Sequence, residues 1–276
     1  MQETASTAGL CKLCEVEDFE DPELRRLIRS AYAFHSEGDP AFPSGREYRK
    51  LWEVAMSLRA FGQLGLLGKG RFLGVAAGAE ATIFWLTRHA SQVVATDLYD
   101  ESWGKQAPPT MLTDPGVHAT CPWDPRRLLV ERMDARDLRF EDGTFDGVFS
   151  SSSIEHFGGY EDVRRALAEM RRVLRQGGVA ALSTEFRIAG ELSALPGLLL
   201  FDEAELRSVL EAEDWKLVEP LKLKLSRATL RVIVDFEEAA ADVEAGRDWT
   251  TFPHIVLQHS LGVAWTSVHV VLRRAE

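Results

Sequence analysis

A glutamate and a histidine stand side by side in the polar segment SSSSIEHF, residues 150–157. His156 is the only histidine of this segment, and a neutral imidazole is a natural proton acceptor near neutral pH. Glu155 is a second candidate, because a positioned carboxylate can also take a proton from a reacting group. The segment could therefore supply the general base of a reaction in which a hydroxyl acts as nucleophile. A purely structural role for His156 is the alternative.

Two acids and one glycine stand earlier in the chain, each at or just after the end of an apolar run. Gly78 lies in the small-residue loop AAGAE, Asp97 follows QVVAT, and Asp134 follows LLVERM. A glycine lets a ligand approach the backbone closely because it has no Cβ, and a carboxylate offers two acceptor oxygens. A glycine loop followed about 20 residues later by an acid is typical of nucleotide-binding proteins.

The elements that must position these residues alternate between strand and helix patterns. Seven apolar runs predict strands, at residues 71–76, 92–96, 128–133, 145–150, 179–183, 215–218 and 264–272. Amphipathic patterns predict helices at residues 22–34, 45–67, 79–89, 162–174 and, after a capping box of Asp202 and Glu205, up to residue 210. Such alternation predicts an α/β fold with a doubly wound, mostly parallel sheet. Ligands of such sheets bind at the carboxyl ends of the strands, where the candidate residues stand.

Composition limits the classes of protein. The chain has 276 residues, 45% of them hydrophobic and 27% charged, and a net charge of −11. The net charge opposes binding to nucleic acid, and the arginines of residues 164–175 have the spacing of the solvated face of a helix. No apolar run approaches the roughly 20 residues that a membrane span needs, and residues 1–10 lack the pattern of a secretory signal. Three cysteines fit a reducing compartment. We therefore expect a cytoplasmic protein with a small-molecule partner, and leave its oligomeric state open.

In combination, four segments resemble the class I S-adenosylmethionine-dependent methyltransferases. They are FLGVAAGAE, VVATDLYD, MDARDLRFEDGTFDGVFSSSSIEHF and EMRRVLRQGGVAALSTE. The C-terminal AWTSVHVVLRR is similar to the last strand of that family, which lies antiparallel. The resemblance covers about residues 70–220 and implies a Rossmann-like fold with a seven-stranded sheet. It also implies a domain at residues 70–276, carrying an insertion at 101–127, and an N-terminal tail and helical lid at residues 1–69.

The resemblance implies S-adenosylmethionine as cofactor and assigns residues to it. Asp97 would accept hydrogen bonds from the two ribose hydroxyls, Asp134 from the adenine amino group, and the backbone amide of Ala135 would donate to the adenine ring. Gly78 would allow the methionyl end to approach the backbone. The implied cofactor set also contains Ala76, Glu80, Leu98, Ser150 and Ser151.

The glycine loop departs from the family pattern. Gly74 stands where the family has an acid, and Ala76 and Glu80 stand where it has the first and third glycines. One interpretation is a rebuilt pocket in which Glu80 contacts the methionyl ammonium. The other is a site that has lost its cofactor, which would leave a non-catalytic binding protein.

The sequence therefore predicts a methyltransferase that modifies a small molecule, most simply at oxygen, with a carbohydrate or glycan precursor as the suggested acceptor. An NAD-dependent oxidoreductase is a further alternative, because it would share the first half of the fold. No metal site is expected, since CKLC at residues 11–14 lacks a second pair of ligands.

Two further segments have open roles. Tyr48, Trp52 and Glu53 precede the first strand and either cover the pocket or pack into the core. The insertion 101–127 contains five prolines, Trp103 and Trp123, and forms either a wall of the substrate site or an outer support.

Overall fold

A computed structural model of the protein describes residues 9–44, 48–104, 106–211, 215–245 and 255–275. The strands are β1 Lys12–Leu13, β2 Arg71–Val75, β3 Gln92–Asp97, β4 Leu128–Arg132, β5 Phe145–Ser151, β6 Leu174–Ala189, β7 Ala194–Leu195, β8 Leu198–Leu199, β9 Trp215–Leu217, β10 Ile233–Asp235, β11 Val256–His259 and β12 Val263–Arg274. The α-helices are α1 Pro22–Ala31, α2 Ala33–Gly38, α3 Arg49–Gln63, α4 Ala81–Thr87, α5 Tyr160–Val173, α6 Glu203–Glu211 and α7 Phe236–Glu244.

The main sheet confirms the predicted fold class. Its order runs β4-β3-β2-β5-β6-β12, with parallel pairing from β4 to β6 and an antiparallel β12. The strand β9 pairs with β12 and completes the seven predicted strands. Three short strands extend this arrangement: β1 and β11 also pair with β12, and β10 pairs with β11.

Helices cover both faces of this sheet, which explains the alternating burial along its strands. On β2, Phe72 packs into the apolar cluster shared with α1, α3 and α4, whereas Leu73 packs into the cluster shared with α5 and α6. A parallel strand covered on both faces needs a continuous apolar sequence, and β2 supplies it. The two layers hold the strand ends in fixed positions.

Local sequence signals start the helices where they were expected. Asp21 accepts hydrogen bonds from the backbone N–H groups of Glu23 and Leu24, and Pro22 occupies the first turn of α1. Asp202 and Glu205 cap α6 reciprocally, each side chain accepting from the other's backbone N–H at 2.8 Å. These contacts satisfy amide groups that the first helical turn leaves unpaired.

Several boundaries differ from the prediction. The helix expected at 22–34 is interrupted at Tyr32 and becomes α1 and α2, and the helix expected at 45–67 is α3, with residues 45–47 outside the described ranges. The strand expected at 179–183 is the long β6, because β12 pairs with it from Val179 to Ala189. Within the described ranges, none of the helices has both the length and the apolar character to cross a lipid bilayer.

Candidate active site

The carboxyl ends of β2, β3 and β5 carry an unusual backbone conformation. Ala76, Tyr99 and Ser152 have φ angles of +48°, +44° and +46°, and they are the non-glycine residues with positive φ in the described part of the chain. The left-handed conformation is strained for side chains with a Cβ and persists where the surroundings impose it, often at functional sites. All three residues lie one or two positions after a strand end, so the strain marks one edge of the sheet.

Asp97, at the end of β3, lies against the glycine loop. Its Oδ2 accepts from the N–H of Gly78 at 2.8 Å, and its Oδ1 accepts from the N–H of Leu98 at 2.6 Å. Burial raises the pKa of this carboxyl, and the backbone N–H groups oppose the rise. A carboxylate has about four acceptor positions, so these two bonds leave capacity for further donors. The neighbouring Leu98 side chain is 40% exposed and offers a flat apolar surface.

Gly78 has space for nothing larger than hydrogen. Its φ is +50°, and a Cβ would stand 2.1 Å from the carbonyl oxygen of Gln106. That carbonyl accepts from the N–H of Ala79 at 3.1 Å, and the hydroxyl of Tyr99 donates to the carbonyl of Gly78 at 3.0 Å. The start of the insertion therefore closes over the glycine loop.

Phe149 accounts for the missing acid at position 74. A Cβ on Gly74 would lie 2.6 Å from Cζ of Phe149, and the ring of Phe149 is fully buried. The side chain of β5 therefore fills the space that an acid on β2 would need.

Ala76→Gly should relieve backbone strain. Glycine adopts positive φ without the steric cost that alanine pays. Because glycine also increases the freedom of the unfolded chain, we expect the free energy of unfolding to rise by at most about 1 kcal/mol, with unchanged ligand affinity. Urea unfolding and calorimetry check both, and a loss of more than that amount would contradict the strain argument.

Glu80 and two serines supply polar atoms beside this loop. The Oε1 of Glu80 and the Oγ atoms of Ser150 and Ser151 are buried without a hydrogen-bond partner of normal geometry in the described chain. Burial raises the pKa of Glu80 to about 8. The hydroxyls of Ser151 and Thr82 lie close enough to Glu80 to lower its pKa against the effect of burial. Because buried polar atoms are normally paired, the remaining capacity of these atoms suits a polar ligand.

Asp134 follows β4 at the same edge as Asp97. The N–H of Met133 donates to the carbonyl of Asp97 at 3.0 Å, which fixes the two strand ends side by side. The carboxylate of Asp134 forms a two-pronged contact with Arg136, at 2.7 and 2.9 Å, and this guanidinium lowers its pKa. Ala135 is nearly buried. A role of Asp134 in binding adenine stays a prediction. In that role, the carboxylate would accept hydrogen bonds from both the adenine amino group and Arg136.

Five charged side chains meet beyond the end of β5, beside the part of β6 that continues past it, and we call them the charged cluster: Arg49, Lys50, Glu53, Glu155 and Glu185. Arg49 donates to Glu185, while the Nζ of Lys50 lies 3.5 Å from Glu53 and 3.7 Å from Glu185. Glu53 accepts from the hydroxyl of Ser152 at 2.8 Å. Sequence reasoning placed only Glu53 and Glu155 among the candidates.

Glu155 and His156 lie where the strand end predicted them. Glu155 is 1% exposed, its Oε2 accepts from the hydroxyl of Thr184 at 2.8 Å, and its Oε1 has no partner in the described chain. Burial, followed by the charge of Glu185, raises the pKa of Glu155 to about 8. The Nδ1 of His156 lies 2.7 Å from the carbonyl of Gly197, so Nδ1 carries the proton and Nε2 is the acceptor nitrogen. Burial lowers the pKa of His156 and keeps it neutral near pH 7.

Glu155→Gln should change how stability depends on pH. The folded protein keeps a proton on Glu155 between its normal pKa of 4.5 and about 8, whereas the unfolded chain has lost it. Wild-type stability therefore falls as the pH rises through this window, by at most about 1.4 kcal/mol per pH unit from this group. The variant lacks this loss, so its free energy of unfolding relative to wild type should rise between about pH 5 and about pH 8. The exposed Glu161→Gln is the control, and parallel pH profiles for Glu155→Gln and wild type would contradict the assignment.

The two segments with open roles have structural contacts. Trp52 is fully buried and packs edge-to-face against His269, with ring centroids 6.2 Å apart. Trp123 packs edge-to-face on Phe84 of α4, at 5.7 Å, and the side chain of Trp103 lies outside the described part. These contacts favour core packing for Trp52 and an outer support for Trp123.

Comparisons with known proteins agree with this geometry. A family model described as a methyltransferase domain matches residues 73–182. The structure of a 1,6-didemethyltoxoflavin-N1-methyltransferase from Burkholderia thailandensis, solved with 1,6-didemethyltoxoflavin and S-adenosylhomocysteine, is similar with a TM-score of 0.51 at 16% identity, over 96% of this chain and 92% of that one. The cyclase SpnF is similar with a TM-score of 0.52 at 16% identity, over 80% of each chain. At these identities, the two structures support the fold alone.

The sheet order and the matched domain are those of the Rossmann-like methyltransferase fold. In this chain the matched domain spans β2 to β6, and S-adenosylmethionine is the cofactor that the resemblance of the sequence implies. The residues present fit that cofactor, since acceptor carboxylates, the exposed Leu98 surface and unpartnered buried polar atoms lie along one edge of the sheet.

Proposed function

We propose that the protein methylates a hydroxyl group of a small molecule, with a carbohydrate or glycan precursor as the acceptor class. The observation that carries the proposal is the position of the charged cluster and His156 next to the edge that carries Asp97 and Glu80. A cytoplasmic location belongs to the same proposal and rests on the cysteine count.

The cofactor residues of the proposal follow the strand ends. Asp97 would accept from the ribose hydroxyls, Leu98 would contact adenine, and Asp134 with the backbone of Ala135 would contact the adenine edge. Glu80 would accept from the methionyl ammonium, since its Oε1 is buried and unpartnered. Ala76, Gly78, Ser150 and Ser151 complete the proposed set.

The bound cofactor supplies a methyl group that is already activated by a positively charged sulfur. The protein must then orient the acceptor, exclude water and take up the hydroxyl proton. The Nε2 of His156 is oriented by the Nδ1 contact to Gly197 and is the proposed proton acceptor. Glu155 is the second candidate, and its carboxyl becomes an acceptor only above the pH at which it ionises.

The division of the chain is also part of the proposal. We assign residues 1–69 to an N-terminal tail and helical lid, and residues 70–276 to the cofactor-binding domain with its insertion at 101–127. Lys50 and Glu53 of α3 reach the strand ends of the domain, as the contact of Glu53 with Ser152 shows. This contact supports α3 as a wall of the acceptor site.

His156→Ala should lower turnover more than cofactor affinity. Removing a general base costs about 100-fold or more in rate, whereas the affinity for S-adenosylhomocysteine should change by less than about threefold. Single-turnover rates and calorimetry measure the two quantities separately. Equal turnover in the variant would remove His156 from the mechanism and leave Glu155.

Calorimetry with three ligands tests the proposed function. We expect S-adenosylmethionine and S-adenosylhomocysteine to bind and NAD not to bind. Methyl release from the bound cofactor is then measured with sugars and their precursors as acceptors. Binding of NAD alone would favour an oxidoreductase. Binding of S-adenosylhomocysteine without methyl transfer to any acceptor would favour a non-catalytic protein, an interpretation that the altered residues 74, 76 and 80 support.

A further inference from the structure

The charged cluster has more acidic than basic side chains. Its three carboxyl groups, on Glu53, Glu155 and Glu185, face two cations, on Arg49 and Lys50. Four of these residues are at most 4% exposed, and Lys50 alone reaches solvent, with 31% of its side chain exposed. A buried net charge is costly because the surroundings solvate it poorly. The proton that Glu155 keeps up to about pH 8 balances the cluster, and a positively charged ligand could replace that proton.

Two carboxylate oxygens of the cluster have no donor. They are Oε1 of Glu155 and Oε2 of Glu185, both buried and both without a hydrogen-bond partner in the described chain. Their residues lie on neighbouring segments, and the charge of Glu185 contributes to raising the pKa of Glu155. Unpaired buried acceptors cost free energy that a ligand with several N–H groups can recover. An ammonium group carries three donors and one positive charge.

The cluster also has an unpaired donor. The Nη1 of Arg49 is buried without a hydrogen-bond partner among the described residues, while its Nε donates to Ser267 at 3.0 Å and its Nη2 donates to Glu185. A hydroxyl or ether oxygen would accept from Nη1. The unpaired atoms thus match a ligand that combines an amine with an oxygen.

We propose that the acceptor is an amino alcohol or amino sugar whose ammonium binds between Glu155 and Glu185. This inference rests on the proposed function, because it names the substrate class of that site. Glu80, which the cofactor ammonium would use, is not part of the charged cluster. A carboxylate or phosphate on the acceptor is disfavoured here, since both cations already lie next to carboxylates.

Four small probes test the inference on the full-length protein saturated with S-adenosylhomocysteine. Ethanolamine, ethylene glycol, N-acetylethanolamine and glycolate share a two-carbon unit and differ in charge and donor number. Their apparent dissociation constants are taken from the shift of the melting temperature with probe concentration. We expect ethanolamine to bind about tenfold more tightly than ethylene glycol, and the acetylated and acidic probes to bind no better than the diol.

Two variants should move this preference in opposite directions. Glu155→Gln removes the carboxyl that would ionise when an ammonium binds, and should reduce the preference for ethanolamine to about twofold or less. Lys50→Met removes one positive charge and should increase the preference severalfold. Equal binding of ethanolamine and ethylene glycol, or a preference that neither variant changes, would overturn the inference and leave water as the partner of these atoms.

Failure of the proposed function gives a different result. If the proposed function is wrong, S-adenosylhomocysteine, which is titrated first, does not bind. In that case the same four probes are compared on the protein alone, and their ranking still decides whether the charged cluster selects an amine.

Discussion

Asp97→Ala is expected to weaken the binding of S-adenosylhomocysteine by at least about 100-fold. The proposed contacts are two hydrogen bonds from ribose hydroxyls to one carboxylate, and bonds to a charged group contribute about 1.5–3 kcal/mol each. The variant also loses the acceptor of the Gly78 N–H, which positions the glycine loop. Both losses act on the bound state, so calorimetric titration should show the full effect.

Two further variants separate binding from folding in this experiment. Asp97→Asn keeps one oxygen acceptor and removes the charge, so its loss of affinity should lie between those of wild type and Asp97→Ala. Asp100→Ala changes an acid that accepts from the N–H of nearby Ser102 at 2.9 Å, and the variant should bind with unchanged affinity. If Asp97→Ala melts like wild type and binds S-adenosylhomocysteine equally well, the ribose assignment is wrong.

The strand ends were predictable because their signals are local. An apolar run followed by Asp97 or by Ser150 predicts where a strand ends and which side chain lies at that end. The order of a parallel sheet then brings these ends to one edge. The structure confirms that these strand ends share one edge, while the placement of the site there and the contacts of each residue with a ligand stay predictions.

The charged cluster was not predictable in the same way. Arg49 and Glu185 are 136 positions apart, and neither local sequence indicates that the two residues are in contact. A weak signal was present, since Arg49 and Glu53 stand one turn apart in a helix whose buried residues are mostly apolar. Buried charges in such a helix need partners, but the sequence does not indicate which acid or cation forms the ion pair. The closure of Gln106 over Gly78 was missed for the same reason, because it depends on the path of a loop.

At the glycine loop, the sequence departs from the family pattern although the backbone conformation is kept. The alanine at position 76 looked like a lost glycine, yet its φ of +48° shows that the backbone keeps the conformation that glycine would adopt. Similarly, Phe149 fills the space of the missing acid on β2. The loop therefore keeps its shape with different residues, which supports the rebuilt pocket over the lost one.

Arg49→Met should destabilise the protein by about 3–5 kcal/mol, the usual cost of leaving a buried charge without its partner. Arg49 is 2% exposed and Glu185 is 4% exposed, so solvent cannot replace the guanidinium. In wild type, Arg49 and then Lys50 hold the pKa of Glu185 below its usual value although burial opposes them. In the variant only Lys50 remains, at 3.7 Å, and the pKa of Glu185 should rise.

The pH dependence identifies the cause of this loss. At low pH the carboxyl of Glu185 is protonated in the variant, so the deficit in the free energy of unfolding should shrink as the pH falls. Arg126→Met removes an exposed partner of Asp124, whose ion pair is 2.9 Å long, and should leave stability unchanged. The double variant Arg49→Met/Glu185→Leu should recover much of the loss, since it removes both charges. If Arg49→Met and Arg126→Met have the same free energy of unfolding at every pH, the destabilisation argument is wrong. Water would then have to solvate Glu185, and its carboxylate would gain little from an ammonium ligand.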